Sequence, residues 1–230
     1  MKRILVTGAS RGIGKAIAER LASADNHLYV HGRDQRALTD LKQKLKANRG
    51  GVTPIAADLS QISGIEAILE AIGSEPLDVL VNNAGIAVVK PVETLSIEEW
   101  QHTLAVNVTA PFLLCKRLLL QMPRGAAIVN IMSIAARVGF ANWSSYSMSK
   151  FALEGFSQSL REELRPRGIR VINIYPSSTR TDLWKSVSGD WPREKMLDSA
   201  QVAEAVAFAL ERPADVQIDA INIGNIAGTL

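Results

Sequence analysis

Cysteine is almost absent: Cys115 is the only one in 230 residues. An internal disulfide cannot form and no CxxC pair exists, which excludes a disulfide-stapled scaffold and a cysteine-based zinc site. Histidine is scarce as well. His27, His31 and His102 are scattered without metal-ligand spacing, so no metal is expected. Neither sign of charge is in excess. The 26 basic and 23 acidic side chains leave a net charge of +3 and are interspersed along the chain. That balance argues against nucleic acid and against a membrane surface as partners. No uninterrupted apolar run approaches the ~18 residues of a membrane span. The opening Met1-Lys2-Arg3-Ile4-Leu5-Val6 runs straight into Thr7-Gly8. Its apolar part is shorter than the ~7 residues a secretion signal needs, so a mature cytoplasmic start is expected.

What is present suits a packed core: 47% of residues are hydrophobic and 21% charged. Short apolar runs alternate with longer amphipathic stretches. The pattern predicts strands over 3–7, 28–31, 53–57, 77–82, 127–132, 170–175 and 216–223. It predicts helices over 12–23, 62–72, 97–122, 145–165 and 200–210, with a further solvated helix bearing Lys42, Lys44 and Lys46. Strands separated by helices imply βαβ units, hence a parallel sheet covered on both faces. The expected fold is α/β: a single domain over 1–230, with a doubly wound, Rossmann-type, seven-stranded parallel sheet.

Between the first strand and first helix stands Thr7-Gly8-Ala9-Ser10-Arg11-Gly12-Ile13-Gly14. Glycines there allow a tight turn and close backbone approach. The helix N-terminus offers free N–H groups and a positive dipole end to a pyrophosphate. An ordinary βα turn is the plainer alternative; the strand–turn–helix setting favours a dinucleotide. The second strand ends His31-Gly32-Arg33-Asp34. A glycine occupies the place where an NAD site wants a carboxylate. Arg33 and Arg11 can grip a 2′-phosphate through forked, charge-assisted bonds. NADP(H) is therefore expected, with Asp34 as ribose partner the competing reading.

Tyr146 and Lys150 lie four residues apart, which puts them on one helix face. Ser133 ends a strand, on the side where a parallel sheet opens its ligand crevice. A free phenol titrates near ~10, too high for efficient proton transfer at neutral pH. A cation at ~4 Å is worth about 4 kcal/mol at an effective dielectric of 20, or about 3 pKa units. Lys150 could thus bring Tyr146 into working range, while the serine holds a substrate oxygen. YxxxK also arises by chance, and a strand-end serine is often only a turn former.

Taken together, the chain resembles the short-chain dehydrogenase/reductase family over nearly all its length. The matching motifs are TGxxxGxG at 7–14, Asn82-Asn83-Ala84-Gly85, Asn107 within Val106-Asn107-Val108-Thr109-Ala110-Pro111-Phe112, Ser133, and Tyr146 with Lys150. The resemblance implies catalytic roles for Asn107, Ser133, Tyr146 and Lys150. Tyr146 would be the general acid/base, Lys150 would bind the nicotinamide ribose and lower the phenol pKa, and Ser133 would polarise the carbonyl. Asn107 would bend its helix and hold a water linking Lys150 to solvent. Cofactor contacts are expected from Gly8, Ser10, Arg11, Gly12, Ile13, Gly14, Arg33, Asp58, Leu59, Asn83, Ala84, Gly85, Tyr146, Lys150, Pro176, Thr179 and Thr181. Asp58, with Leu59, would meet the adenine, and Thr181 and the Thr179 backbone the nicotinamide amide.

The sequence departs from the family in two places. Ser177 stands where the family has glycine, and would either tighten the turn or crowd the cofactor. The family's double glycine is missing after the last strand, at Ile221-Asn222-Ile223-Gly224-Asn225. Residues 182–199 are expected to form a substrate lid. Leu183, Trp184, Val187, Trp191 and Met196, with Phe140 and Trp143, suggest an apolar pocket, and Lys185 and Arg193 an anion contact or plain surface. Cys115 is expected in the core. Leu113, Leu114 and Leu118 on one helix, and Phe151, Leu153 and Phe156 on another, would pair subunits in a homodimer or homotetramer, or else face the sheet. The expected activity is NADPH-dependent, reversible reduction of a ketone or aldehyde, such as a 3-oxoacyl thioester or other apolar ketone. A non-catalytic NADP(H) sensor is the alternative.

Overall fold

The computed structural model describes residues 1–46, 50–187 and 191–226, without the side chains of Lys185 and Ser186. The lid's residues 188–190 and the Lys185 side chain therefore lie outside the described residues. In chain order the elements begin β1 (Lys2–Val6), α1 (Gly12–Leu21), β2 (Asn26–Gly32), α2 (Gln35–Lys44), β3 (Val52–Ala56), α3 (Ile62–Ile72) and β4 (Val79–Asn82). They continue α4 (Ile97–Leu104), α5 (Ala110–Leu118), β5 (Ala127–Ile131), α6 (Ser144–Leu164), β6 (Arg170–Pro176), α7 (Ser199–Leu210) and β7 (Ala220–Ile223).

The seven strands form one parallel sheet in the order β3-β2-β1-β4-β5-β6-β7. The chain winds outward from β1 to β3, then returns to place β4 on the other side of β1. That reversal opens a crevice at the carboxyl ends of β1 and β4, where doubly wound sheets bind ligands. Alternate strand residues serve opposite faces. Ile4 and Val6 join the core under α1, α2 and α7, while Leu5 joins the core under α3, α5 and α6. Pro54 is tolerated because β3 is an edge strand.

Two expectations need correction. The last strand spans only Ala220–Ile223, because residues 216–219 run as irregular chain after a turn at 214–215. Val216 N–H donates to Pro213 O, and the Gln217 amide donates to Val171 O and Ile218 O. The helices expected over 97–122 are α4 and α5, joined by a π-helical turn at Ala105–Thr109. This stretch, Ile97–Gln121, also has a mean hydropathy of 1.4, long and apolar enough by length and composition to cross a membrane. Counting uninterrupted apolar runs missed it. Its apolar side chains Leu114, Cys115 and Leu118 are instead buried in the core beneath the sheet. Leu114, Leu118 and Leu153 thus face inward, whereas Phe112 and Phe151 remain exposed. Of the residues expected to pair subunits, only these two phenylalanines present a largely open surface.

Candidate active site

The glycine turn is shaped by what surrounds it. A Cβ on Gly14 would lie 2.3 Å from Gly8 O and 2.4 Å from Asn83 Nδ2. Any side chain there would drive α1 away from the turn. Gly8 adopts φ 67°, a left-handed conformation that glycine reaches without strain. Asn83 Nδ2 donates to Thr7 O at 2.8 Å and to Gly8 O at 3.2 Å. Thr7 Oγ1 accepts from Asn83 N and Ala84 N, both at 3.0 Å, and donates to Val81 O. The two loops that frame the crevice are thereby riveted together. Arg11, at the N-cap of α1, makes no side-chain cap, so the helix leaves its first N–H groups facing the cleft.

That cleft has a volume of about 430 Å³. Gly8, Ser10, Arg11, Gly12 and Ile13 line it from the turn; Arg33, Asp58 and Leu59 line one side. Asn83, Ala84, Gly85, Tyr146, Lys150 and Thr181 line the other. Gly14 and Asn107 stand behind the walls, and Ser133, Pro176 and Thr179 belong to an adjoining pocket. Asp34 accepts from Ala37 N at 3.0 Å and caps α2. It is outside the cleft lining, which disfavours the ribose-partner reading. At Gly32 a Cβ would come within 3.0 Å of Ser10, so the usual acidic position has little room. Arg33 lines the cleft, where it helps hold the Asp58 carboxyl below its usual range; the larger cause is the Ser60 N–H bonded to that carboxylate. Arg11 is mostly exposed, with its guanidinium 4.0 Å from Asp182.

Lys150 Nζ donates to Ile131 O at 2.8 Å, at the carboxyl end of β5. The ammonium lies 5.7 Å from the centroid of the Tyr146 ring, as the shared helix face requires. Burial lowers Lys150 to about 8. With no nicotinamide beside it, burial raises Tyr146 above its ordinary value, and a hydrogen bond with Ser133 partly offsets this.

Asn107 sits inside the π-helical turn between α4 and α5. Its Nδ2 donates to Ile86 O and Ser149 Oγ, and its Oδ1 accepts from Ile86 N, each at 2.9 Å. The side chain is a clamp on the loop after β4. A Cβ on Gly85 would lie 3.4 Å from Asn107 Oδ1 and 3.9 Å from Lys150 Nζ. Ser177 does not adopt a left-handed backbone, and its N–H donates to Ile223 O at 2.8 Å. That main-chain bond extends the β6–β7 pairing one residue past β6. The Thr179 carbonyl accepts from Trp184 Nε1 at 2.8 Å.

The adjoining pocket, about 180 Å³, shares Ile13, Met132, Tyr146, Thr181 and Leu183 with the cleft. Phe140, Trp143, Trp184 and Trp191 line it as expected. Val187 and Met196 do not: both are buried in fold-supporting contacts. Arg193 lies outside both linings.

Two residues were missed by sequence reasoning. Thr7 was read only as part of the motif. His31 was set aside as a histidine without metal partners. It is buried at the end of β2, with Nδ1 3.4 Å from Gly8 N and Nε2 3.1 Å from Ala57 O. As an acceptor at Nδ1 and a donor at Nε2, the neutral ring joins the glycine turn to the end of β3. Desolvation lowers its pKa to about 4. A histidine in an otherwise apolar strand next to the glycine turn was the available signal.

Comparison with known proteins matches residues 2–191 to the family model described as short chain dehydrogenase. The chain is 33% identical to D-threitol dehydrogenase of Mycolicibacterium smegmatis, covering 95% of this chain and 91% of that protein. It is 33% identical to the 3-oxoacyl-[acyl-carrier-protein] reductase FabG of Escherichia coli, over 90% and 88% of the two chains. Among solved structures, the landomycin C-6 ketoreductase LanV with bound NADP and rabelomycin superimposes with a TM-score of 0.86. That match has 32% identity and covers 99% of this chain and 97% of LanV.

Proposed function

The chain belongs to the short-chain dehydrogenase/reductase family, oxidoreductases acting on CH–OH and C=O groups, and from that premise we propose that it reduces an apolar ketone or aldehyde with NADPH. The observation that carries this reading is a convergence. Tyr146 stands where the glycine-turn cleft meets the apolar pocket, with Lys150 on the cleft side and Ser133 on the pocket side.

The cleft fits a dinucleotide: the cradle closes if Gly14 gains a Cβ, and the α1 N-terminus is uncapped. Gly8, Ser10, Arg11, Gly12 and Ile13 hold the pyrophosphate side, Asp58 and Leu59 the adenine side, and Asn83 to Gly85 the ribose side. Arg33 selects the 2′-phosphate, aided by Arg11. NADPH, when bound, supplies the hydride. Ser133 donates a hydrogen bond to the substrate carbonyl and fixes its orientation. Tyr146 gives its phenolic proton to that oxygen as negative charge develops there. Lys150, protonated below about pH 8, stabilises the phenolate left behind. Asn107 holds the Ile86 loop and the space beside Gly85 and Lys150, through which Tyr146 is reprotonated. In the oxidative direction the same groups run in reverse.

The aromatic pocket supports apolar ketones, and the likeness to a 3-oxoacyl reductase supports oxoacyl thioesters. Exposed Phe112 and Phe151 support a homo-oligomer, and the single buried cysteine suits the cytoplasm. NADPH oxidation against a panel of ketones and aldehydes, repeated with NADH, tests the reading. Turnover with an NADPH preference is expected. No turnover with either nucleotide would overturn it.

A further inference from the structure

The pocket beside Tyr146 has an aromatic wall that starts at the reacting phenol. Trp143 lies 5.5 Å from the Tyr146 ring and Trp184 lies 6.0 Å from Trp143, both edge-on. Trp191 continues the wall 4.8 Å from Trp184. Two of these rings are held in place. Trp184 is anchored by its indole bond to Thr179 O. Trp143 follows Asn142, the one described non-glycine residue with a left-handed backbone (φ 68°), whose carbonyl accepts from Lys90 N at 2.9 Å.

Among the described residues, no Lys, Arg, His, Asp or Glu lines this pocket. Phosphate and carboxylate groups find no counter-charge in it. Three of its polar side chains are engaged by the main chain: Ser133 Oγ accepts from Ala135 N, Thr179 Oγ1 donates to Ser177 O, and Trp184 Nε1 donates to Thr179 O, whereas the buried Trp191 Nε1 has no partner. The pocket has room for one ring: an apolar cavity of ~150 Å³ holds benzene, and this one is about 180 Å³.

Resting on the proposed function above, we infer that the substrate is a neutral ketone or aldehyde with one aromatic ring next to the carbonyl. The ring packs against Trp143 and Trp184 in the edge-to-face manner these residues already adopt between themselves. The carbonyl carbon gains the hydride that NADPH supplies and the oxygen gains the Tyr146 proton. The products are the aryl alcohol and NADP⁺.

Acetophenone and cyclohexyl methyl ketone have the same carbon skeleton and differ in ring aromaticity, so they form the probe pair. The ratio of their kcat/KM values should favour acetophenone by about tenfold, the worth of one favourable aromatic pairing. It should collapse toward one in Trp143→Leu and Trp184→Leu, and return in Trp143→Phe. Because the leucine variants could fail to fold, a second measurement uses the unmodified protein with NADP⁺. There 1-phenylethanol should raise Tm more than 1-cyclohexylethanol. A wild-type ratio near one, a ratio unchanged in both folded leucine variants, or equal Tm shifts would overturn the aromatic assignment and leave carbonyl reduction standing. Faster oxidation of D-threitol than of 1-phenylethanol would do the same. NADPH left untouched by every ketone and aldehyde would overturn the proposed function as well.

Discussion

Around the glycine turn the cleft is shaped by backbone and by buried polar side chains; around the lid it is shaped by aromatic rings. At the first end, Thr7, His31 and Asn83 spend their hydrogen bonds on neighbouring main chain, and Gly14 leaves no space for a Cβ. At the other end, Trp143, Trp184 and Trp191 form a chain of ring contacts that begins at Tyr146. The difference teaches which part can change. A main-chain cradle recognises groups common to all dinucleotides and tolerates almost no substitution. A wall of side chains recognises one substrate's shape and can be rebuilt residue by residue. Tyr146 belongs to both.

If the cradle is as rigid as its contacts imply, Gly14→Ala should weaken NADPH binding by about 100-fold or more, since the new methyl meets Gly8 O at 2.3 Å. Fluorescence titration of the folded variant measures this; a change under threefold would break the contrast with the lid. Recognition at the 2′-phosphate should depend on charge rather than on backbone. Arg33→Asp should shift the NADPH/NADH ratio of kcat/KM by roughly 10- to 100-fold toward NADH, the size of a lost charge-assisted bond. An unchanged ratio would move the selecting group elsewhere.

His31 sharpens the comparison through pH. Its folded value, about 4, lies below the ~6.5 of an unfolded chain. Between those values the unfolded state binds more protons, so stability is intact above pH ~6.5 and lost as pH falls toward ~4. The loss amounts to roughly 3 kcal/mol. His31→Leu should flatten that slope in urea titrations and raise the KM for NADPH several-fold, with kcat unchanged. A slope equal to wild type would assign the acid sensitivity to other groups. The smallest effect on stability is expected at Lys150, whose buried charge costs stability while the cofactor is absent. Lys150→Met should raise the Tm of the cofactor-free protein by about 2–4 °C for each kcal/mol relieved, while abolishing turnover. A lowered Tm would show that the bond to Ile131 O outweighs desolvation.

The sequence carries the cofactor end better than the lid, for a physical reason. A glycine turn, a helix N-terminus and an i,i+4 pair are local, so residues 7–14 and Tyr146 with Lys150 can be placed from spacing alone. Alternating apolar runs likewise reveal all seven strands. What spacing cannot show is contact between distant elements. His31 acquires its role only because β2 pairs with both β1 and β3. Val187 and Met196 carry the same apolar signature as Leu183 and Trp184, yet the chain turns them into the interior. The direction of the Tyr146 shift in the cofactor-free chain is hidden for the same reason, because burial is set by the whole fold.

The central claim is that the Tyr146 phenol delivers the proton at the junction of cradle and wall. Single-turnover NADPH oxidation by Tyr146→Phe, with a ketone the wild-type protein reduces, tests it most directly. The account predicts a rate lower by about 10³-fold, within the usual range for losing a general acid, with the NADPH Kd unchanged within about twofold. A variant that reduces the ketone at a rate comparable to wild type would contradict it.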